Sequence, residues 1–284
     1  MFDIKAEWSP CGVAVSAKGE VFVALSGSNR IGVYASDSGR FLRMLGWGSG
    51  NTKRHLRFPA GVVLSLDGST LYITDRGNHR VVVWRSDDGS PLRKIGGGLG
   101  IHPGELNGPH GCALSPDGSA LFVVERDNHR VSVFETRSGR FLRCWGKQGV
   151  ATGEFYNPEY CACSQDGRVL YVSDTSGRRI VACDPVTGGV LRSFGDRGGF
   201  LLRCIGIGSI REDEVTPRGI ALSHCGTELY VVDAGLHRVV VFASADFAFL
   251  RSWTLVGNSE GIGLSASGRV FVTTYSRDRL LKFS

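Results

Sequence analysis

Pro59-Ala60-Gly61-Val62-Val63-Leu64-Ser65, Asp67-Gly68, Leu71-Tyr72-Ile73-Thr74-Asp75, Asn78-His79-Arg80-Val81-Val82-Val83-Trp84, Asp88-Gly89, Leu92-Arg93 and Gly96 make one unit, which the chain then repeats. The next copy runs Pro109-His110-Gly111-Cys112-Ala113-Leu114-Ser115, Asp117-Gly118, Leu121 to Glu125, Asn128-His129-Arg130-Val131, Ser138-Gly139, Leu142-Arg143 and Gly146. Self-similarity at a fixed period of this length marks a repeat architecture. The serine closing the first apolar run counts the copies: Ser16, Ser65, Ser115, Ser164, Ser223 and Ser265, at intervals of 49, 50, 49, 59 and 42 residues. Six copies fill the 284 residues. The long interval holds an insertion, roughly Arg197 to Glu214, and the short one a trimmed loop after Trp253.

Each copy carries four short β-branched or alternating runs separated by glycine turns, the pattern of a four-stranded meander. Asp67-Gly68, Asp117-Gly118 and Asp166-Gly167 supply the positive φ of tight hairpins. The middle residue of the first run is small in every copy: Ala14, Val63, Ala113, Ala162, Ala221 and Gly263. Strands crowded around a central axis require this. The sequence therefore predicts an all-β, single-domain, six-bladed β-propeller over residues 1–284. The last copy ends after a third strand at Leu280-Leu281-Lys282-Phe283, and Phe2 to Trp8 resembles a fourth. The N-terminal strand is expected to complete the sixth blade and close the ring, leaving no bare edge.

Composition sets broad limits. A hydrophobic fraction of 42% suffices for a packed core, and a formal charge of +6 permits an anionic partner without demanding one. No basic-then-apolar leader opens the chain and no apolar run is long enough to span a bilayer, so the expectation is a cytoplasmic monomer away from membranes. The eight cysteines lack zinc-like pairing, with Cys161 and Cys163 standing closest. Free thiols follow as the simplest reading.

Pro-x-Gly-φ-Ala-φ-Ser, Asp-Gly, Leu-Tyr-Val-x-Asp, Asn-His-Arg-Val and Leu-Arg-x-x-Gly together resemble NHL repeats. Gly104-Glu105-Leu106-Asn107-Gly108-Pro109 and Gly153-Glu154-Phe155-Tyr156-Asn157-Pro158 resemble that family's inter-blade linkers. The resemblance implies a propeller that serves as a binding platform for protein or single-stranded RNA. It also implies a minority enzymatic branch, the peptidylglycine amidating lyases, with calcium-dependent lactonases as distant relatives. In those lyases a Pro-His element supplies zinc ligands from several blades, and only Pro109-His110 matches it here.

Repetition separates architecture from function. Asp75/Asn78/Arg80, Glu125/Asn128/Arg130, Asp174/Arg179 and Asp233/Arg238 recur, so they read as staples across a turn by charge-assisted hydrogen bonds. His79, His129 and His237 share one repeat position and the same reading. Arg43, Arg93, Arg143, Arg192 and Arg251 mark the outermost strands, where charge discourages edge-to-edge pairing. Cys112, Cys161, Cys163 and Cys183 take apolar repeat positions.

Where the repeat breaks is more informative. The residue between the linker proline and the glycine varies as Cys11, Ala60, His110, Glu159 and Arg218, with Glu260 in the last blade, and Tyr160 replaces the glycine. These begin the innermost strands and should ring the axial opening. Cys11, His110, Glu159, Tyr160, Arg218 and Glu260 are thus the candidate partner-binding mouth, with Arg218 expected to neutralise Glu159 or Glu260. Lys53, Arg54, Arg57, Arg76, Arg126 and Arg211 are candidate RNA contacts, and Trp47, Tyr156 and Tyr160 candidate stacking platforms. The function expected is non-catalytic binding of a protein or peptide, with no cofactor. Single-stranded RNA binding is one alternative, and a metal-dependent lyase or hydrolase built on His110, Glu159 and Glu260 is another.

Overall fold

The computed structural model describes residues 2–5, 9–195 and 216–283. The insertion at Arg197 to Glu214, with Arg211, lies outside the described residues, as do residues 6–8 of the N-terminal strand. Among the described residues there are six four-stranded antiparallel sheets in sequence order around a ring. Blade one holds β2 (Pro10–Val15), β3 (Glu20–Leu25), β4 (Arg30–Ala35) and β5 (Phe41–Leu45); blade two holds β6 (Pro59–Leu64), β7 (Thr70–Asp75), β8 (Arg80–Arg85) and β9 (Pro91–Ile95). Blade three comprises β10 (Pro109–Leu114), β11 (Ala120–Glu125), β12 (Arg130–Glu135) and β13 (Phe141–Trp145). Blade four comprises β14 (Pro158–Cys163), β15 (Leu170–Asp174), β16 (Arg179–Cys183) and β17 (Val190–Phe194). Blade five has β18 (Pro217–Leu222), β19 (Glu228–Asp233), β20 (Arg238–Ala243) and β21 (Phe249–Thr254). The sixth has β22 (Ser259–Leu264), β23 (Val270–Thr274), β24 (Arg279–Phe283) and β1 (Phe2–Lys5), the last pairing Phe2 with Lys282 and Lys5 with Arg279.

The core lies between blades. Six apolar clusters each draw on two neighbours: Trp84 packs with blade one through Ile31 and Leu45, and Phe271 and Leu280 pack with Val21 and Leu25 across the closure. The innermost strands meet where the repeat places glycine. A Cβ on Gly12, Gly61, Gly111, Gly219 or Gly261 would lie 2.3–2.6 Å from backbone oxygen of the next innermost strand, so this position tolerates no side chain there. Threonine hydroxyls tie these strands together: Thr74 bridges Gly61 and His110, and Thr273 bridges Gly261 and Cys11.

The counting serine also has a physical role. Its hydroxyl accepts from a backbone N–H at or just before the start of the second strand, at 2.9–3.0 Å in all six blades. His79, His129 and His237, with Asn29, Arg178 and Asp278, occupy a left-handed turn at φ of 48° to 58°. The His79 and His129 rings then accept the backbone N–H of Gly108 and Asn157 in the following linkers.

Two sequence readings of arginine need extension. The outer-strand arginines reach the next blade: Arg43 donates to Ser86 and Asp87 carbonyls, Arg93 to Thr136, Arg143 to Pro185 and Arg192 to Ala245. They stitch blades together, whereas the sequence suggested edge guards alone. The turn arginines do more than pair with their carboxylates. Arg80 meets Asp75 at 2.7 Å and also donates to the Asn51, Thr52 and His55 carbonyls of the linker leading into its blade, and Arg130 and Arg179 likewise hold the linkers that lead into theirs. The staples of Arg80, Arg130 and Arg179 therefore each fix the shape of a linker.

Candidate functional site

Strands β2, β6, β10, β14, β18 and β22 all start at one end of the axis, together with the linkers and the turns between second and third strands. Backbone bonds such as Gly77 N–H to Arg57 and Ser176 N–H to Tyr156 weld those turns to the linkers into one face. At its centre the strand starts bring Cys11, His110, Glu159, Tyr160, Arg218 and Glu260 together. His110, Glu159 and Glu260 are each about 5% exposed. Arg218 forms a close ion pair with Glu260 through Nη1, and its Nε lies 3.7 Å from Glu159 Oε2. Arg126 Nε reaches Glu159 Oε1 at 3.3 Å, and Tyr160 Oη is 3.4 Å from Glu260 Oε1. Tyr160 enters from blade four, edge-on to the His110 ring with centroids 5.0 Å apart, and crosses toward blade six.

Burial dominates the electrostatics of this cluster. Desolvation lowers the His110 imidazole to about 4, against a smaller opposing effect of Glu159, so His110 is neutral at pH 7. Desolvation and then Glu159 push the Glu260 carboxyl up, with Arg218 opposing. The Cys11 thiol and Tyr160 hydroxyl are pushed up as well, chiefly by burial. Two buried carboxylates facing each other are costly unless a cation lies between them. Arg218 is that cation.

His110, Glu159 and Glu260 also have donor atoms within 4.8 Å of one another, close enough to hold a metal ion. Buried Nδ1 of His110 and Oε2 of Glu159 have no hydrogen-bond partner among the described residues. A neutral imidazole with two carboxylates suits a divalent cation, yet Arg218 already supplies positive charge to both acids. Beneath the cluster the axis opens into a cavity of about 600 Å³, lined by Ala14, Val63, Ala113, Ala162, Ala221 and Gly263 and reaching the opposite face near Leu66 and His224.

The other candidates divide. Arg126 joins the axial cluster through Glu159, and the charge of Arg76 acts on His110 and Cys11. Lys53, Arg54 and Arg57 sit on the rim. Arg54 covers the exposed Trp47 ring at 5.1 Å and Arg57 the Phe58 ring at 5.9 Å. Tyr156 stacks on His129 with centroids 5.9 Å apart.

Sequence reading passed over Cys225. It occupies the place of Asp67 in the blade-five turn, where Ser223 and Thr227 hydroxyls lie 3.3 and 2.9 Å from its sulfur. Those hydrogen bonds lower the exposed thiol to about 7. Alignment of Ser223-His224-Cys225-Gly226-Thr227 with Ser65-Leu66-Asp67-Gly68-Ser69 carries the signal.

The model of a family described as lactonase, 7-bladed beta-propeller, matches residues 21–143, from β3 to β13. That is under half of the chain, and the ring here has six blades. No curated protein matches. Among solved structures, hydrazine synthase of Kuenenia stuttgartiensis is similar at 16% identity and a TM-score of 0.67, over 96% of this chain and 83% of that one. The Cps50 (Swd1) β-propeller domain of Myceliophteria thermophila is similar at 12% identity and a TM-score of 0.68, over 99% and 98%. At these identities the likeness concerns the fold. The class defined is therefore an all-β, six-bladed propeller with a buried charged cluster at one axial mouth. No helix among the described residues is long and apolar enough to cross a membrane.

Proposed function

We propose that this chain is a non-catalytic platform that presents its linker-side face to a protein or peptide partner. One observation carries the reading. Among the described residues, fourteen large hydrophobic side chains are exposed to solvent, and eight lie on that face: Trp47, Phe58, Leu99, Ile101, Val150, Tyr156, Val256 and Tyr275. Exposed apolar surface gathered on one face marks an interaction site. The resemblance to NHL repeats, whose propellers serve as platforms, supports the same reading. A photo-crosslinking residue at Ile101 should capture a partner in the native lysate, and the same residue at Leu66 on the opposite face should not. Equal capture from both faces, or capture from Leu66 alone, overturns the proposal.

A second reading rests on the unpartnered atoms of His110 and Glu159 beside the lactonase-family match: hydrolysis of a small cyclic ester at the axial mouth, with or without a metal ion. Its test is ring opening of simple lactones followed by proton release, together with elemental analysis of the purified protein. Turnover or stoichiometric zinc or calcium that disappears in His110→Ala would establish an enzyme. Neither signal in wild-type protein removes it.

A further inference from the structure

The two faces of the propeller differ in charge. The described linkers and second-to-third-strand turns carry eight basic side chains (Lys53, Arg54, Arg57, Arg76, Arg126, Lys147, Arg178, Arg277) against four acidic ones, Glu105, Asp127, Glu154 and Asp278. The turns of the opposite face carry six basic against eight acidic side chains. The excess is concentrated in one sector. Linker 46–58 and turn 76–79 contain Lys53, Arg54, Arg57 and Arg76 and no carboxylate.

That sector is one continuous surface. Gly77 N–H donates to the Arg57 carbonyl, Asn78 donates to the Gly50 carbonyl, and Arg80 pins the Asn51, Thr52 and His55 carbonyls from beneath. Among the described residues these four basic side chains make no ion pair with a carboxylate, save Arg126 of the neighbouring sector, which is not one of them. Trp47 and Phe58 stand among them at 62% and 50% exposure, and the next linker adds Leu99 and Ile101 at 64% and 68%. A face of unpaired cations set among aromatic and aliphatic side chains is complementary to a ligand with carboxylates and apolar side chains in alternation.

We propose that linker 46–58 and turn 76–79, flanked by Leu99 and Ile101, dock an acidic peptide segment rich in apolar residues. The proposal rests on the platform reading and names the chemistry of its partner. Carboxylates pair with Lys53, Arg54, Arg57 and Arg76, and apolar side chains cover Trp47, Phe58, Leu99 and Ile101. A peptide fits better than single-stranded RNA because Leu99 and Ile101 offer no face on which a base stacks. A nucleic acid would cover the cations and leave the aliphatic pair in water.

The test is selection from a random twelve-residue peptide library displayed on phage against the full chain, followed by anisotropy titration of the enriched peptides. Enrichment in Asp and Glu beside Leu, Ile or Phe is expected. Affinity should fall at least tenfold in Arg54→Glu/Arg76→Glu, and severalfold between 50 and 300 mM salt by the screening that weakens exposed charge pairs, to roughly 6 Å at the higher salt. The Ile101→Ala variant should weaken binding without steepening the salt dependence. Melting temperature serves as the folding control. Neutral or basic enriched peptides overturn the acidic assignment while leaving the platform standing. Enriched peptides indifferent to both variants place the site elsewhere, and no enrichment over a bare support removes the platform as well. A twelve-nucleotide oligouridine that displaces the peptide at equal or lower concentration overturns the proposal in favour of RNA.

Discussion

Arg218 decides the character of the axial mouth. It sits 25% exposed between Glu159 and Glu260, both nearly enclosed, and removing it leaves two buried like charges without a counterion. Arg218→Met is expected to cost about 3–5 kcal/mol of stability, a penalty typical of breaking a buried ion pair. The triple variant with Glu159→Gln and Glu260→Gln should recover most of it in chemical denaturation. His110 supplies a pH test. Its folded value of about 4 lies below the ordinary 6.5, so the unfolded chain binds the extra proton between those values. Stability from neutral His110 is complete above about pH 6.5 and is lost as pH falls through 4, worth up to ~3 kcal/mol relative to His110→Gln. Parallel unfolding curves of the two proteins between pH 7 and 4.5 would contradict the burial argument. At Cys225, alkylation mapped by peptide should rise through pH 7 while buried Cys161 and Cys183 resist, and Cys225 no faster than an ordinary thiol would show that the two hydroxyls do not stabilise its thiolate.

At the scale of strands and turns, the carboxylate–arginine staple is the unit that links stability to function. Glu125 and Arg130 are both buried, at 2.6 Å, and the same guanidinium holds the Ile101 and Glu105 carbonyls. Arg130→Ala should therefore destabilise the fold by about 3–5 kcal/mol and also speed proteolysis between Leu99 and Leu106. The carbonyls held by Arg80 belong to the proposed docking linker, and Arg80→Ala is expected to weaken peptide binding in step with stability. Cleavage rates that stay unchanged would confine the staple to its turn. Periodicity exposed the staples because each pairs residues five apart in a repeated element. It could not expose their second partners, since Asn51, Thr52 and His55 contribute backbone carbonyls, which carry no side-chain signature. The same holds for the stitches from Arg43, Arg93, Arg143 and Arg192. Cys225 was hidden differently, as a change of one residue type inside a turn whose hydrogen-bond pattern is visible only in three dimensions.

For the whole ring, closure is the event on which every blade depends. β1 covers β24 from Phe2 to Lys5, and the cluster joining blades six and one contains Phe271 and Leu280 with Val21 and Leu25. Deleting residues 2–8 strips the hydrogen-bond partner from β24 and should cost several kcal/mol, with aggregation through the exposed edge. A truncated chain that melts like the intact one would contradict closure. Blade number, blade boundaries and the closing strand were all legible in the sequence, because six repeats of small inner-strand residues admit few other arrangements. The composition of the axial mouth was legible as well, since its residues escape the repeat. The asymmetry between faces was not, because the rim residues are scattered over six linkers and acquire a common side only once the ring is closed.

Amide hydrogen exchange of the intact chain, with and without a saturating acidic peptide from the selection, tests the central claim most directly. Binding at the linker-side face should slow exchange in residues 46–58 and 76–79 and leave the turns at 65–69 and 115–119 unchanged. Protection of those opposite-face turns, with linker 46–58 exchanging as in the free protein, would contradict it.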